Sequence, residues 1–149
     1  MEINIEDNFS LLFDKNNNTA YKALQMLKKE CENSDKVYCY MDKLADMIDS
    51  DNSYIRTRGL TLISCNAKWD KDNKIDEIID EYLKHIEDVK PITARQCIKL
   101  LPIIAKNKPE LKEDIFTALQ KADISIYADS MQPLVYKDIQ NSLAEIEKL

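Results

Sequence analysis

Residues 52–70 read NSYIRTRGLTLISCNAKWD and carry two of the three arginines, the only glycine and the only tryptophan of a 149-residue chain. Ile55, Gly59, Leu62 and Ile63 recur at helical spacing, so the stretch is predicted to be one amphipathic helix. A glycine inside a helix costs about 1 kcal/mol relative to alanine. Gly59 therefore marks either a backbone that must approach something closely or a hinge.

Comparison of the chain with itself decides between them. Shifted forward by 38 positions, Ile55, Gly59, Leu60, Leu62 and Ile63 fall on Thr93, Cys97, Ile98, Leu100 and Leu101. Shifted back by 36, they fall on Thr19, Ala23, Leu24, Met26 and Leu27. Each copy has a small residue followed by apolar residues, which makes Gly59 a packing position. The helices between these copies repeat as well. Val37, Tyr40, Met41, Leu44, Ala45 and Ile48 match Ile75, Ile78, Ile79, Tyr82, Leu83 and Ile86. A further copy runs from Leu111 to Ala122, with only Asp114 breaking the apolar pattern.

Two helix types thus alternate with a period near 37 residues, a helical-hairpin repeat. Short polar segments such as DSDNS (49–53), DKDNK (70–74) and KNKP (106–109) separate the helices. Pro91, Pro109 and Pro133 stand where helices can begin, whereas Pro102 lies inside an apolar helix and should bend or loosen it. The expected fold is all-α, with roughly eight helices in one domain over residues 1–149. Residues 1–14, with Phe9, Leu12 and Phe13, form an N-terminal cap. Residues 15–122 form about three hairpins. Residues 123–149 supply a C-terminal capping helix whose apolar face is Met131, Val135, Ile139, Leu143 and Ile146.

The junction IDSDNSYIRTRGLTLI (48–63) resembles the HEAT repeat and its armadillo-like relatives. In that family an apolar helix ends at an acidic turn, followed by an apolar–Arg pair and a small residue. Here these are Asp49 and Asp51, Ile55–Arg56, and Gly59; the next junction has Asp88, Arg95 and Cys97, with Arg95 one place late. The first copy, at 14–27, lacks the arginine. The whole chain is also similar to small bacterial HEAT-like proteins, some of them named after iron–sulfur assembly scaffolds. Those scaffolds are β-rich, unlike this sequence. The resemblance implies a right-handed α-α superhelix and assigns Asp51, Arg56, Gly59 and Cys97 to the repeat framework. It also implies that the helix after each acidic turn lines a concave face.

Composition narrows the chemistry. One glycine cannot build a P-loop, a dinucleotide fingerprint or a nucleophile elbow. The net charge of −6 disfavours a bulk grip on nucleic acid or anionic membrane. No apolar run has transmembrane length and no signal peptide is visible, so the expected location is the cytoplasm. Cys31, Cys39, Cys65 and Cys97 lack metal-site spacing. Cys31, Cys65 and Cys97 match small or apolar core positions, and Cys39 matches the exposed Glu77. His85, the only histidine, is expected on a charged surface beside Glu81 and Asp88. No catalytic, cofactor-binding or metal-binding residue is assigned.

A polar stripe remains. Thr57, Thr61, Ser64 and Lys68 recur at offsets of four, three and four, and Arg95, Lys99, Pro102 and Lys106 are their equivalents. The candidate concave-face binding residues are therefore Thr57, Arg58, Thr61, Lys68, Arg95, Lys99 and Lys106. The expected function is a non-enzymatic interaction module that binds a protein partner through this face. The alternative is a DNA-binding or alkylpurine-DNA-glycosylase-like protein, with the same cations and Trp69 against the duplex.

Overall fold

The computed structural model describes residues 4–149, and among these there are eight α-helices and no strand. The first three positions of the expected N-terminal cap lie outside the described residues. None of the described helices is long and apolar enough to cross a membrane. The chain divides into two compact units, Met1–Asp72 and Asn73–Leu149.

The first unit contains α1 (Ile5–Leu11), α2 (Asn17–Asn33), α3 (Met41–Met47) and α4 (Ser53–Cys65). A 3-10 turn, Tyr38–Tyr40, leads into α3, and another, Ala67–Trp69, extends α4. Its core is aliphatic, with Leu12, Leu27, Met41, Leu44, Ile48, Leu60, Leu62 and Ile63 all buried. The second unit contains α5 (Lys74–Leu83), α6 (Pro91–Asn107), α7 (Lys112–Lys121) and α8 (Gln132–Glu147). Ile75, Tyr82, Ile98, Leu101, Ile115, Val135 and Ile146 fill its core. Each fully buried side chain of this kind contributes about 1.5–3 kcal/mol relative to exposure.

The repeat read from sequence recurs at the level of single hydrogen bonds. Before α2, α4 and α6 a side chain two residues back accepts from the N-cap amide. These bonds are Asn16 N to Asp14 Oδ1 at 2.8 Å, Asn52 N to Ser50 Oγ at 3.1 Å, and Lys90 N to Asp88 Oδ1 at 2.9 Å. The three acceptors are related by the same shifts of 36 and 38 residues that align the helices. Asn16 and Asn52 then cap their helices by accepting from the amides two and three residues on. Lys90 makes no side-chain cap, and Pro91 opens α6 instead, where no amide donor is needed.

A second pair of equivalent positions keeps its contact and changes its chemistry. Tyr38 Oη donates to the buried carboxylate of Asp70 at 2.6 Å. Thirty-eight residues later, Asp76 takes the place of Tyr38 and buried Lys108 that of Asp70, joined at 2.8 Å by an ion pair. In both units this contact joins the start of one hairpin helix to the end of the next.

Gly59 lies where α4 crosses α3. A Cβ added there would lie 2.9 Å from Met47 Cβ, 3.1 Å from the Leu44 carbonyl oxygen and 3.2 Å from Ile48 Cγ2. In the second unit Cys97, the equivalent residue, directs its thiol at the Tyr82 carbonyl at 3.7 Å, and Tyr82 is the equivalent of Leu44. Gly59 and Cys97 thus stand at equivalent places where one helix meets the one before it. Gly59→Ala should lower stability by about 1–3 kcal/mol through overpacking, although alanine is the better helix former. Urea unfolding checks the sign, because propensity acting alone would stabilise the variant.

Pro102 does not break α6, which runs unbroken from Pro91 to Asn107. Having no N–H, it leaves the carbonyl of Ile98 without its helical donor. Ser142 of α8 fills the gap, its hydroxyl donating to Ile98 O at 2.8 Å. One turn earlier on α8, buried Asp138 accepts from Arg95 Nε at 2.6 Å. The C-terminal helix is therefore held to α6 by two polar contacts as well as by its apolar face. Ser142→Ala should cost about 1–3 kcal/mol by orphaning the Ile98 carbonyl. In a Pro102→Ala background, where residue 102 regains its amide, the same change should cost much less, and a double-mutant cycle of unfolding free energies measures the difference.

Candidate functional site

The seven stripe residues have different surroundings, and most of them serve the fold. In α4 the hydroxyls turn back onto their own helix. Thr57 Oγ1 donates to Ser53 O at 2.8 Å, Thr61 Oγ1 to Thr57 O at 2.8 Å and Ser64 Oγ to Thr61 O at 2.7 Å. A hydroxyl satisfied in this way needs no water. Thr61 and Ser64 are accordingly buried and Thr57 half-buried. The expectation that Thr61 faces a partner is corrected on that ground.

Arg58 is corrected likewise. It is 7% exposed, and its guanidinium donates to Leu12 O at 2.8 Å and to Asn17 Oδ1 at 3.3 Å, with the Tyr54 ring 5.7 Å away. It ties the α1–α2 connection to α4. Lys68 is exposed, but its Nζ donates to Glu32 O at 2.8 Å, while Trp69 Nε1 donates to Cys31 O at 2.7 Å. Both carbonyls belong to the last turn of α2, where no intrahelical donor remains. Lys68 and Trp69 together cap that helix.

In the second unit Arg95 is held by Asp138, and Lys99 Nζ lies 4.0 Å from the same carboxylate. The α6 stripe is thus the surface on which α8 packs, with Pro102 buried in its middle. Lys99 stays half-exposed at its edge and Lys106 is exposed. Lys68, Lys99 and Lys106 thus keep exposed positions, Lys68 tied to the end of α2 and Lys99 beside Asp138.

Two of the framework residues, Arg56 and Asp51, meet at the turn before α4. Buried Arg56 directs Nη1 to the carbonyl oxygens of Ser50 and Asp51 at 3.0 and 3.1 Å, closing the turn into α4. Asp51 contributes its main chain to that contact, and its side chain is exposed. Alanine occupies the equivalent positions, Ala20 and Ala94, so Arg56 is particular to this copy.

The remaining reactive groups are enclosed or tied. Cys31 and Cys97 are buried, Cys65 is half-buried and Cys39 is exposed. Burial pushes the Cys31 thiol up to about 12 and raises Cys65 and Cys97 as well. Low thiolate content makes such thiols poor nucleophiles. His85 is less exposed than expected, because its Nδ1 lies 2.7 Å from Oδ2 of buried Asp88. Among the described residues, no group of three or more His, Cys, Asp or Glu is placed to hold a metal ion. Native protein treated with a thiol reagent near neutral pH should therefore modify Cys39 fastest and Cys65 more slowly. Cys31 and Cys97 should react only with unfolding, as mass spectrometry of labelled peptides reads directly.

The concave surface that sequence reasoning missed is in the first unit. A groove of about 540 Å³ is lined by Phe9, Ser10 and Phe13 from α1 and its turn, Lys43, Asp46, Met47 and Ser50 from α3 and its turn, and Ile55 of α4. Phe9 stacks on Tyr40 with centroids 4.4 Å apart and meets Phe13 edge-on at 5.9 Å. Lys43 Nζ lies 5.9 Å and 5.5 Å from the centres of the Phe9 and Tyr40 rings. Phe13 is 48% exposed, an aromatic ring that the core leaves uncovered. The clue in the sequence was an apolar cap with one ring more than its short helix can bury. A second groove, about 590 Å³ in the other unit, has Lys112, Glu113 and Glu147 beside Phe116 and Pro109. No family model matches the chain, and comparison with curated proteins and with solved structures gives no match either.

Proposed function

We propose that this chain is a non-enzymatic, HEAT-like helical interaction module that binds a protein partner in the groove between α1, α3 and α4. The observation that carries this reading is the half-exposed Phe13 beside Phe9, Met47 and Ile55. An exposed aromatic among apolar neighbours, with a polar rim of Lys43, Asp46 and Ser50, is the composition of a protein-binding surface. Recurrence of the same junction bond at the repeat spacing supports the HEAT-like repeat reading, which in turn implies a right-handed superhelix. Unpaired cysteines, two of them buried, fit a reducing, cytoplasmic setting.

The alternative, DNA binding through a basic stripe, has less support. Arg58 and Arg95 are engaged by Leu12 and Asp138, and Trp69 by Cys31. Phosphate contact would have to rely on lysines of a chain with net charge −6. Affinity isolation from native lysate, with nuclease treatment, tests both readings. Wild type and Lys106→Glu should retain the same protein partner, and Phe13→Ser should lose most of it. Duplex DNA should show no measurable binding at about 50 mM salt. Retention that survives Phe13→Ser, fails with Lys106→Glu or disappears with nuclease would overturn the proposal.

A further inference from the structure

The charge around the groove specifies its occupant. The elements that line it are residues 4–14 and 41–55, which carry seven carboxylates against one lysine, Lys43. That excess equals the net charge of the entire chain, −6, so the remaining residues sum to neutral. Asp42, Asp46 and Asp49, spaced by four and three, run along one exposed edge of α3 and its turn. Glu6 and Asp7 are exposed on α1. Lys43, the one cation, sits over the Phe9 and Tyr40 rings.

Apolar floor and acidic border together fit a partner with the reverse arrangement. Among the described residues there is no strand, so no sheet edge is present for an extended peptide to pair with. A helix laid in the groove needs only side-chain contacts, with anchors recurring every three or four residues. Resting on the protein-binding reading above, we infer that the groove accepts a basic amphipathic helix of the partner. Its apolar face lies on Phe13, Met47 and Ile55, and its lysines or arginines lie along the carboxylates of α3 and α1. Charge complementarity of this kind chiefly sets partner choice and association rate, and salt weakens it.

The test uses the full chain and three fluorescent peptides, each about five helical turns long. One has leucines at helical spacing and lysines elsewhere, the second replaces the lysines by glutamates, and the third is a scrambled version of the first. Fluorescence anisotropy should show binding of the first peptide alone, weakening with salt. Affinity should fall about tenfold in Phe13→Ser and again in Asp46→Lys/Asp49→Lys. Circular dichroism melts of the variants show that they are folded, as expected for exposed positions. If the glutamate peptide binds instead and still requires Phe13, the charge assignment is overturned while the groove reading stands. Binding of the scrambled peptide, or binding unaffected by Phe13→Ser, overturns the inference, as does absence of binding by all three. Self-association through Phe13, detected by sedimentation without peptide, would assign the groove to a second copy and overturn it too.

Discussion

The close crossing of α3 and α4 at Gly59 is the constraint on which the first unit depends. With no side chain there, the two helices approach until Met47, Leu44 and Ile48 meet the α4 backbone. That approach determines where Met47 and Ile55 stand, and these two residues contribute to the groove. Arg58, one residue before Gly59, reaches the Leu12 carbonyl and so positions the end of α1, which brings Phe9 and Phe13 to the opposite wall. A packing residue and a buried arginine, side by side in one helix, thus assemble a surface to which neither contributes a side chain.

The second unit uses the same crossing and differs in how its last helix is held. Cys97 stands in the place of Gly59 and directs its thiol at the Tyr82 carbonyl. Pro102 then opens one carbonyl of α6, and α8 carries a serine to it and an aspartate to Arg95. A helix defect and its complement lie on different helices, 40 residues apart. Such an arrangement favours one register of α8 on α6, since sliding the helix by a turn would leave Ile98 O and Asp138 unpaired.

Much of this fold was legible in the sequence because helical repeats write their packing as a period. The eight helices, the breaks between them, the equivalence of Ala23, Gly59 and Cys97, and the buried faces of α5 and α8 all follow from spacing. The polar stripe was misread for a definite reason. Periodicity groups side chains by face, but a threonine bonded to its own helix and a threonine in water have the same spelling. Thr61 and Ser64 are of the first kind. Long-range partners were invisible in the same way. Nothing near Arg58 names Leu12, nothing near Arg95 names Asp138, and nothing near Lys68 and Trp69 names the end of α2. The groove was missed because its signal is a surplus, Phe13 in the turn after a helix too short to bury it, and the carboxylates beside it read locally as ordinary surface.

In the proposed function a partner is recognised at the α1–α3–α4 groove, while most of the polar stripe of α4 and α6 serves the fold. Amide and methyl NMR spectra of the full chain, recorded while the basic amphipathic peptide is added, test that division most directly. Perturbations should cluster at Phe9, Phe13, Lys43, Met47, Ser50 and Ile55 and leave Lys99, Lys106 and the face of α8 around Asp138 unchanged. Perturbations centred on Lys99 and Lys106, with the groove signals unmoved, would contradict it.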